Sequence, residues 1–283
     1  MITQAQADMA IPDRAGSARR LRPPNTAWLA DRLSDRDWQI IEIVNLLRLV
    51  TGQQLERLYF QSLTGHAREV VRGRVLRRLV RWRVLAVSPR RIGGAARGSA
   101  GAAFALGSAG THLYATRQAA YAARQRVRHP GLPTERTVRH TLAVSELYVS
   151  LVEQARLHAA SVVSFAAEPA CWWPSGLGGY VKPDGYTRLA LGTVRDHWWI
   201  EVDLATESLP TIKRKLSVYL DFVQRGQLGP HGVVPRVLVS TVSPERRDAV
   251  RTIVAHLPEP ASALFQVVTQ LEAVATMLAS LHS

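Results

Sequence analysis

Cysteine and lysine are nearly missing from this chain, and it has no long apolar run. The single cysteine, Cys171, excludes an internal disulfide framework and suits a reducing compartment such as the cytoplasm. Beside Trp172 and Trp173 that thiol reads as apolar filling. One cysteine and nine scattered histidines give no zinc-ligand spacing, and no His-hydrophobe-His pair of the tyrosine-relaxase kind occurs. Tyr219 accordingly reads as a packing residue on its helix. No membrane-spanning stretch or signal-peptide pattern is present, so no membrane partner is expected. Gly176, Gly178 and Gly179 precede a hairpin, which is not the strand-to-helix setting that a dinucleotide or P-loop site needs.

The chain does have arginine, unevenly spread. Three lysines stand against thirty-three arginines, and the formal net charge is +14. Residues 1–129 hold 22 Arg and no Lys against 8 acids, whereas residues 130–283 hold 14 basic and 14 acidic residues. A length of 283 residues suggests two domains. One is strongly basic and points to a polyanion, most often nucleic acid; the other is balanced.

The order of elements sharpens this division. Residues 1–27 lack periodicity and read as a disordered arm, in which Arg19, Arg20 and Arg22 read as solvated. Within residues 28–127, Ser34 caps a helix with Asp35 and Asp37 in its first turn and Leu33, Trp38, Ile41, Val44 and Leu47 buried. Thr51 caps a second helix. The third, over 66–82, turns Val70, Val71, Val75, Leu76, Leu79 and Val80 inward and Arg68, Arg72, Arg74, Arg77, Arg78 and Arg81 outward. Strands over 84–91 and 102–106 flank a Gly-rich loop carrying Arg90, Arg91 and Arg97. Three helices and a basic hairpin describe a winged helix-turn-helix, so these nine arginines are the expected DNA contacts. A further helix follows over 110–126. Residues 128–134, containing RHPGLP, read as a linker.

Residues 135–283 read as α-β-β-β-α-β-α-β-α, an α/β sheet with helices on its faces. The stretch from Val181 to Tyr219 organises them. A strand over 186–191, a polar turn over Thr193–Asp196 and a strand over 197–204 lead to a helix starting at Ser208. Alternation puts Glu201 and Asp203 on one face, and the hairpin brings Asp184 beside both. Three converging carboxylates call for a cation, and hard oxygen ligands suit Mg²⁺ or Mn²⁺. All three lysines, Lys182, Lys213 and Lys215, fall in this stretch. Glu146, Glu168 and Glu207 are candidate supporting acids. Glu207 reads equally as a helix-capping residue, and Glu146 as a surface acid.

The order α-β-β-β-α-β with Pro183-Asp184 and then Glu201-Val202-Asp203 resembles the restriction-endonuclease-like superfamily and its PD-(D/E)xK motif. Residues 30–225 are similar to the replication-relaxation family of plasmids and integrated mobile elements. LSDRDWQII, LRRLVRW, PDG, EVDLATES, and Lys215 with Tyr219 carry that likeness. The resemblance implies that Asp184 and Glu201 hold Mg²⁺ with the Val202 carbonyl, and that a lysine orients the attacking water. Asp203 stands where the motif has its lysine, so Lys215 is the expected replacement and Lys182 the other candidate. The implied function is DNA nicking or cleavage by metal-dependent phosphodiester hydrolysis in plasmid replication or transfer. The alternative is a non-catalytic, sequence-specific initiator or transcriptional regulator. DNA is the implied partner; a homodimer, which would allow both strands to be cut, and other replication or transfer proteins are open possibilities.

Overall fold

The structure, a computed structural model, describes residues 26–88, 101–119 and 134–282. Over these the chain is mixed α/β. Its N-terminal part runs α1 (Thr26–Ala30), α2 (Asp35–Leu47), β1 (Val50–Thr51), α3 (Gly52–Tyr59), α4 (Gly65–Arg81), β2 (Leu85–Val87), β3 (Ala103–Leu106) and α5 (Ser108–Ala119). Two capping boxes set the helix starts. Ser34 accepts from the Asp37 N–H while Asp37 accepts from Ser34 N, and Thr51 and Gln54 repeat the exchange for α3. The strands form an antiparallel sheet in the order β1-β3-β2. Helices and sheet close on Ile40, Ile41, Val44, Leu47, Leu55, Leu76, Leu79 and Phe104. The backbone approaches itself closely where α5 begins. A Cβ at Gly107 would lie 2.2 Å from the Arg83 carbonyl oxygen, and one at Gly110 2.1 Å from that of Val84.

Several expectations change here. Val70 is exposed instead of packed. The expected arm extends to residue 27, but Thr26 already opens a helix; its earlier residues lie outside those described. The hairpin strands are shorter than expected, and the loop with Arg90, Arg91 and Arg97 lies outside the described residues. So do residues 120–126 of the expected helix and 128–133 of the expected linker.

The C-terminal part runs α6 (Glu135–Leu157), β4 (Ser161–Ala167), β5 (Trp173–Pro174), β6 (Tyr180–Val181), β7 (Gly185–Leu191), β8 (Val194–Asp203) and α7 (Leu209–Gln224). Then come β9 (Arg236–Thr241), α8 (Pro244–Ala255), α9 (Ala261–Leu264), β10 (Phe265–Thr269) and α10 (Gln270–Ala279). One five-stranded sheet has the order β10-β9-β8-β7-β4. β4, β7 and β8 form an antiparallel meander, while β8, β9 and β10 are parallel. The parallel pairs follow because α7 and α8 carry the chain back across the sheet between successive strands. The β7–β8 turn is only Gly192–Thr193, with Gly192 at φ 56°, so residues 194–196, expected in the turn, belong to β8.

β8 is buried on both faces, as a central strand must be. Trp198, Ile200 and Val202 pack with Leu147, Leu151 and Met277 on one side. Trp199 packs with Tyr219, Leu220 and Phe222 of α7 on the other. Burial of this kind stabilises by about 1.5–3 kcal/mol per large apolar side chain, and it fixes the register of Glu201 between these residues and of Asp203 after them. Among the described residues, no helix is long and apolar enough to cross a membrane.

α6 joins the two parts. Its Glu146 and Glu153 both pair with Arg57 of α3, Glu146 also accepts from Gln54, and Ser145 donates to the Leu49 carbonyl at 2.7 Å. Val149 of the same helix packs into the N-terminal core. Glu146, read both as a candidate supporting acid and as a surface acid, is exposed and faces α3, and it does not join the acid cluster on the sheet. The pairs it makes compete for its carboxylate.

Candidate functional site

The site forms where the meander opens beyond the start of β7. Asp184 sits one residue before that strand. Its N–H donates to the Ile200 carbonyl at 2.9 Å, and its Oδ2 accepts from the Val202 N–H at 2.7 Å. These bonds hold its side chain across the C-terminal end of β8. The other oxygen, Oδ1, lies 3.0 Å from His140 Nε2 on α6. Glu201 accepts from the Tyr219 hydroxyl through Oε1, and its Oε2 is 3.8 Å from Lys215 Nζ. Lys215 and Tyr219 are one turn apart on α7, so one helix face serves both oxygens of Glu201. Lys215 makes a closer pair, 2.8 Å, with Glu207. A cavity of about 220 Å³ opens here, lined by Arg136, His140, Asp184, Asp203, Glu207 and Lys215.

Burial is the chief cause of the unusual acidity of Glu201. It pushes the Glu201 carboxyl up to about 8, and the neighbouring Asp184 charge adds to that. Lys215 opposes the effect, as does the Tyr219 hydrogen bond, but the lysine is 3.8 Å away. Hydrogen bonding to Asp184 raises His140. Burial alone would lower Lys215, yet Glu201 and Glu207 more than offset it and its pKa rises. The Glu201–Lys215 pair thus shifts upward on both sides: the lysine gains from Glu207, while the glutamate is dominated by burial.

A pH dependence follows. Glu201 binds its proton more tightly in the folded state than in the unfolded chain. Its contribution to stability is therefore complete below about pH 4.5 and is lost as pH rises toward about 8. His140, also raised, acts in the same sense. In EDTA, Glu201→Gln is expected to lose less stability than the wild type between pH 5 and pH 8, read by thermal melts. Parallel pH slopes for the two proteins would contradict this.

The structure brings together Asp184, Glu201, Glu207, Lys215 and Glu168, whose N–H donates to the Asp184 carbonyl at 3.1 Å. Glu168 also meets Arg48 at 3.4 Å. Lys182 stands apart: it is exposed, with its ammonium 4.8 Å from the ring centre of Trp172. Asp203 reaches the cavity but is held by Arg246, with Nε–Oδ2 2.6 Å and Nη2–Oδ1 3.3 Å, and by the Ala205 N–H at 2.9 Å. The expected three-carboxylate set is not formed. Among the described residues, no group of three or more His, Cys, Asp or Glu side chains is placed to hold a metal ion. Cys171 is buried and donates to the Pro183 carbonyl, and burial pushes its thiol up, in keeping with a filling role.

Sequence reasoning placed His140 on the long helix without giving it a role, and passed over Arg136 and Arg246. Each comes from an element far along the chain from Asp184 and carries no spacing signal. It took Tyr219 for packing alone, although its spacing from Lys215 places both on one helix face.

The arginines of α4 divide in two. Arg74, Arg77 and Arg81 are exposed, and Arg68 is half-buried, donating to the Leu63 carbonyl at 2.6 Å. Arg72 and Arg78, expected on the outer face, are structural. Arg72 is buried against Glu56, and Arg78 pairs with buried Asp37 and lies 5.1 Å from the ring centre of Trp82.

No curated protein and no solved structure matches the chain. The replication-relaxation family matches residues 41–237, from within α2 to the start of β9, and so covers the three-stranded sheet, strands β4, β7 and β8 of the five-stranded sheet, and the pocket. The chain belongs to the replication-relaxation family.

Proposed function

We propose that this protein binds DNA through residues 28–127. We further propose that it nicks or cleaves that DNA by metal-dependent phosphodiester hydrolysis in a nuclease-like domain over residues 135–283. The process served is replication or transfer of a plasmid or integrated mobile element. One observation carries the reading: Lys215 on α7 reaches the Glu201 carboxylate and the Asp184 cavity, where the strand motif itself offers Asp203 instead of a lysine. The element order α6-β4-β7-β8-α7-β9 supports a restriction-endonuclease-like core.

The donor set fits a divalent cation in its chemistry. Asp184 and Glu201 are hard oxygen donors, both buried, and their mutual repulsion helps raise Glu201. Each carboxylate oxygen has a second lone pair beyond the hydrogen bond it accepts from Val202 or Tyr219. Asp203, neutralised by Arg246, is not proposed as a ligand. When bound, Mg²⁺ or Mn²⁺ would lower the pKa of a water and offset charge on the phosphate. The protein supplies the rest. Tyr219 fixes Glu201, His140 and the Val202 N–H fix Asp184, and the Lys215 ammonium orients the water or holds a phosphate oxygen.

For DNA binding, α2, α3 and α4 with the β1-β3-β2 sheet suit a winged helix-turn-helix. Arg74, Arg77 and Arg81 recur on one face of α4, the third helix of that module, which enters the major groove. The triple variant R74A/R77A/R81A is expected to flatten the dependence of log K on log salt by about 3, at roughly 0.9 per lost phosphate contact. Filter binding across a salt series checks this, and an unchanged slope refutes it.

A second reading has its own observation. The Asp203–Arg246 pair closes off an acid at the motif's lysine position, which favours a non-catalytic initiator or regulator on a degenerate nuclease fold. That protein would bind the same DNA and leave it intact.

A further inference from the structure

Glu207 is placed unlike the other acids of the pocket. One of its carboxylate oxygens lies 2.8 Å from Lys215 Nζ of α7, and the other lies 3.6 Å from Arg136 Nη2 at the start of α6. A single anion thus bridges two cations from two helices, across a cavity that both cations line. Neither Asp184 nor Glu201 is so placed, since each is fixed by a buried donor at the C-terminal end of β8. The loop presenting Glu207 is itself held. Arg246 donates to the Glu207 carbonyl at 2.8 Å while gripping Asp203, and Ala205, a non-glycine residue, sits at φ 56°. Left-handed backbone at alanine is unfavourable and persists only where surrounding bonds impose it. A planar carboxylate between an ammonium and a guanidinium presents to them the charge and two-oxygen spacing of a phosphodiester.

We propose that Arg136 and Lys215 form the subsite for the scissile phosphodiester, and that Glu207 occupies it in the free protein as an internal stand-in. This rests on the reading of the pocket as a phosphodiester site, though not on any catalysis there. Substrate phosphate enters by displacing the Glu207 side chain, so the site opens only to a polyanion that other contacts hold in place. Arg136 is exposed enough to turn toward an incoming strand, whereas Lys215 is anchored from below by Glu201.

The test uses the full chain in EDTA, with thymidine 3′,5′-bisphosphate as the probe and titration calorimetry as the readout. A mononucleotide lacks the length to engage the α4 arginines as a duplex would. Glu207→Gln removes the competing charge and keeps the side chain's shape. It is expected to bind the probe at least about tenfold tighter than the wild type, about 1.4 kcal/mol. Adding R136A to E207Q should erase the gain. Equal affinity in wild type and E207Q, with both melting as folded proteins, overturns the proposal. So does a gain that survives R136A. Because no metal or turnover enters the readout, an inactive wild-type protein would sink the nuclease reading and leave this result to stand or fall alone.

Discussion

Asp184→Asn is expected to lower metal-dependent cleavage by more than about 100-fold, beyond the 10–100-fold typical of residues one shell further out. DNA affinity should be unchanged. The asparagine keeps an oxygen for the Val202 N–H, so the backbone bond that sets the end of β8 survives. It loses the negative charge that His140 and a cation would share. The arginines proposed to contact DNA lie on α4, beside the three-stranded sheet, so neither the affinity nor its salt slope has reason to move. A D184N protein that cut as fast as the wild type would remove the pocket from the chemistry.

Arg78→Ala is expected to destabilise the fold by about 3 kcal/mol, the lower end of the cost of orphaning a buried charge. Asp37 is fully buried, and both of its oxygens accept from Arg78 Nη2 at 2.6 Å. Without the guanidinium, only the Ser34 donors at 2.9 Å remain to this carboxylate. Arg78 is itself about one-third exposed, and water screens part of the loss, which is why the lower figure applies. Its stacking on Trp82 goes as well. Arg77→Ala, one residue away and exposed, is the control, expected within about 0.5 kcal/mol. Urea unfolding of both variants decides this, and equal midpoints would contradict the assignment of Arg78 to the core.

That pair also shows where the sequence was legible and where it was not. The caps at Ser34 and Thr51 were readable because a capping box is local, spanning four residues. The hairpin holding Glu201 opposite the start of β7 was readable from alternation and short turns. The outer face of α4 was not. Arg72 and Arg78 lie six residues apart, and only the positions of Glu56 and Asp37 in space decide that they turn inward. A buried acid can draw a long side chain around the helix, which a periodicity argument cannot foresee. The same holds at the site. Asp184, Glu201 and Lys215 meet as expected, but Arg246, from α8, removes Asp203 from the set, and His140, from α6, completes Asp184. Both partners arrive through long-range packing of helices on a sheet.

The most direct test of the account is incubation of the purified chain with supercoiled plasmid carrying its own element, in Mg²⁺, in Mn²⁺ and in EDTA. The account predicts relaxed or linear product with either metal and none in EDTA. Plasmid that stays supercoiled under all three conditions, while the protein still binds it in a gel-shift assay, would contradict the nuclease reading. That result would leave a DNA-binding initiator or regulator on the same fold.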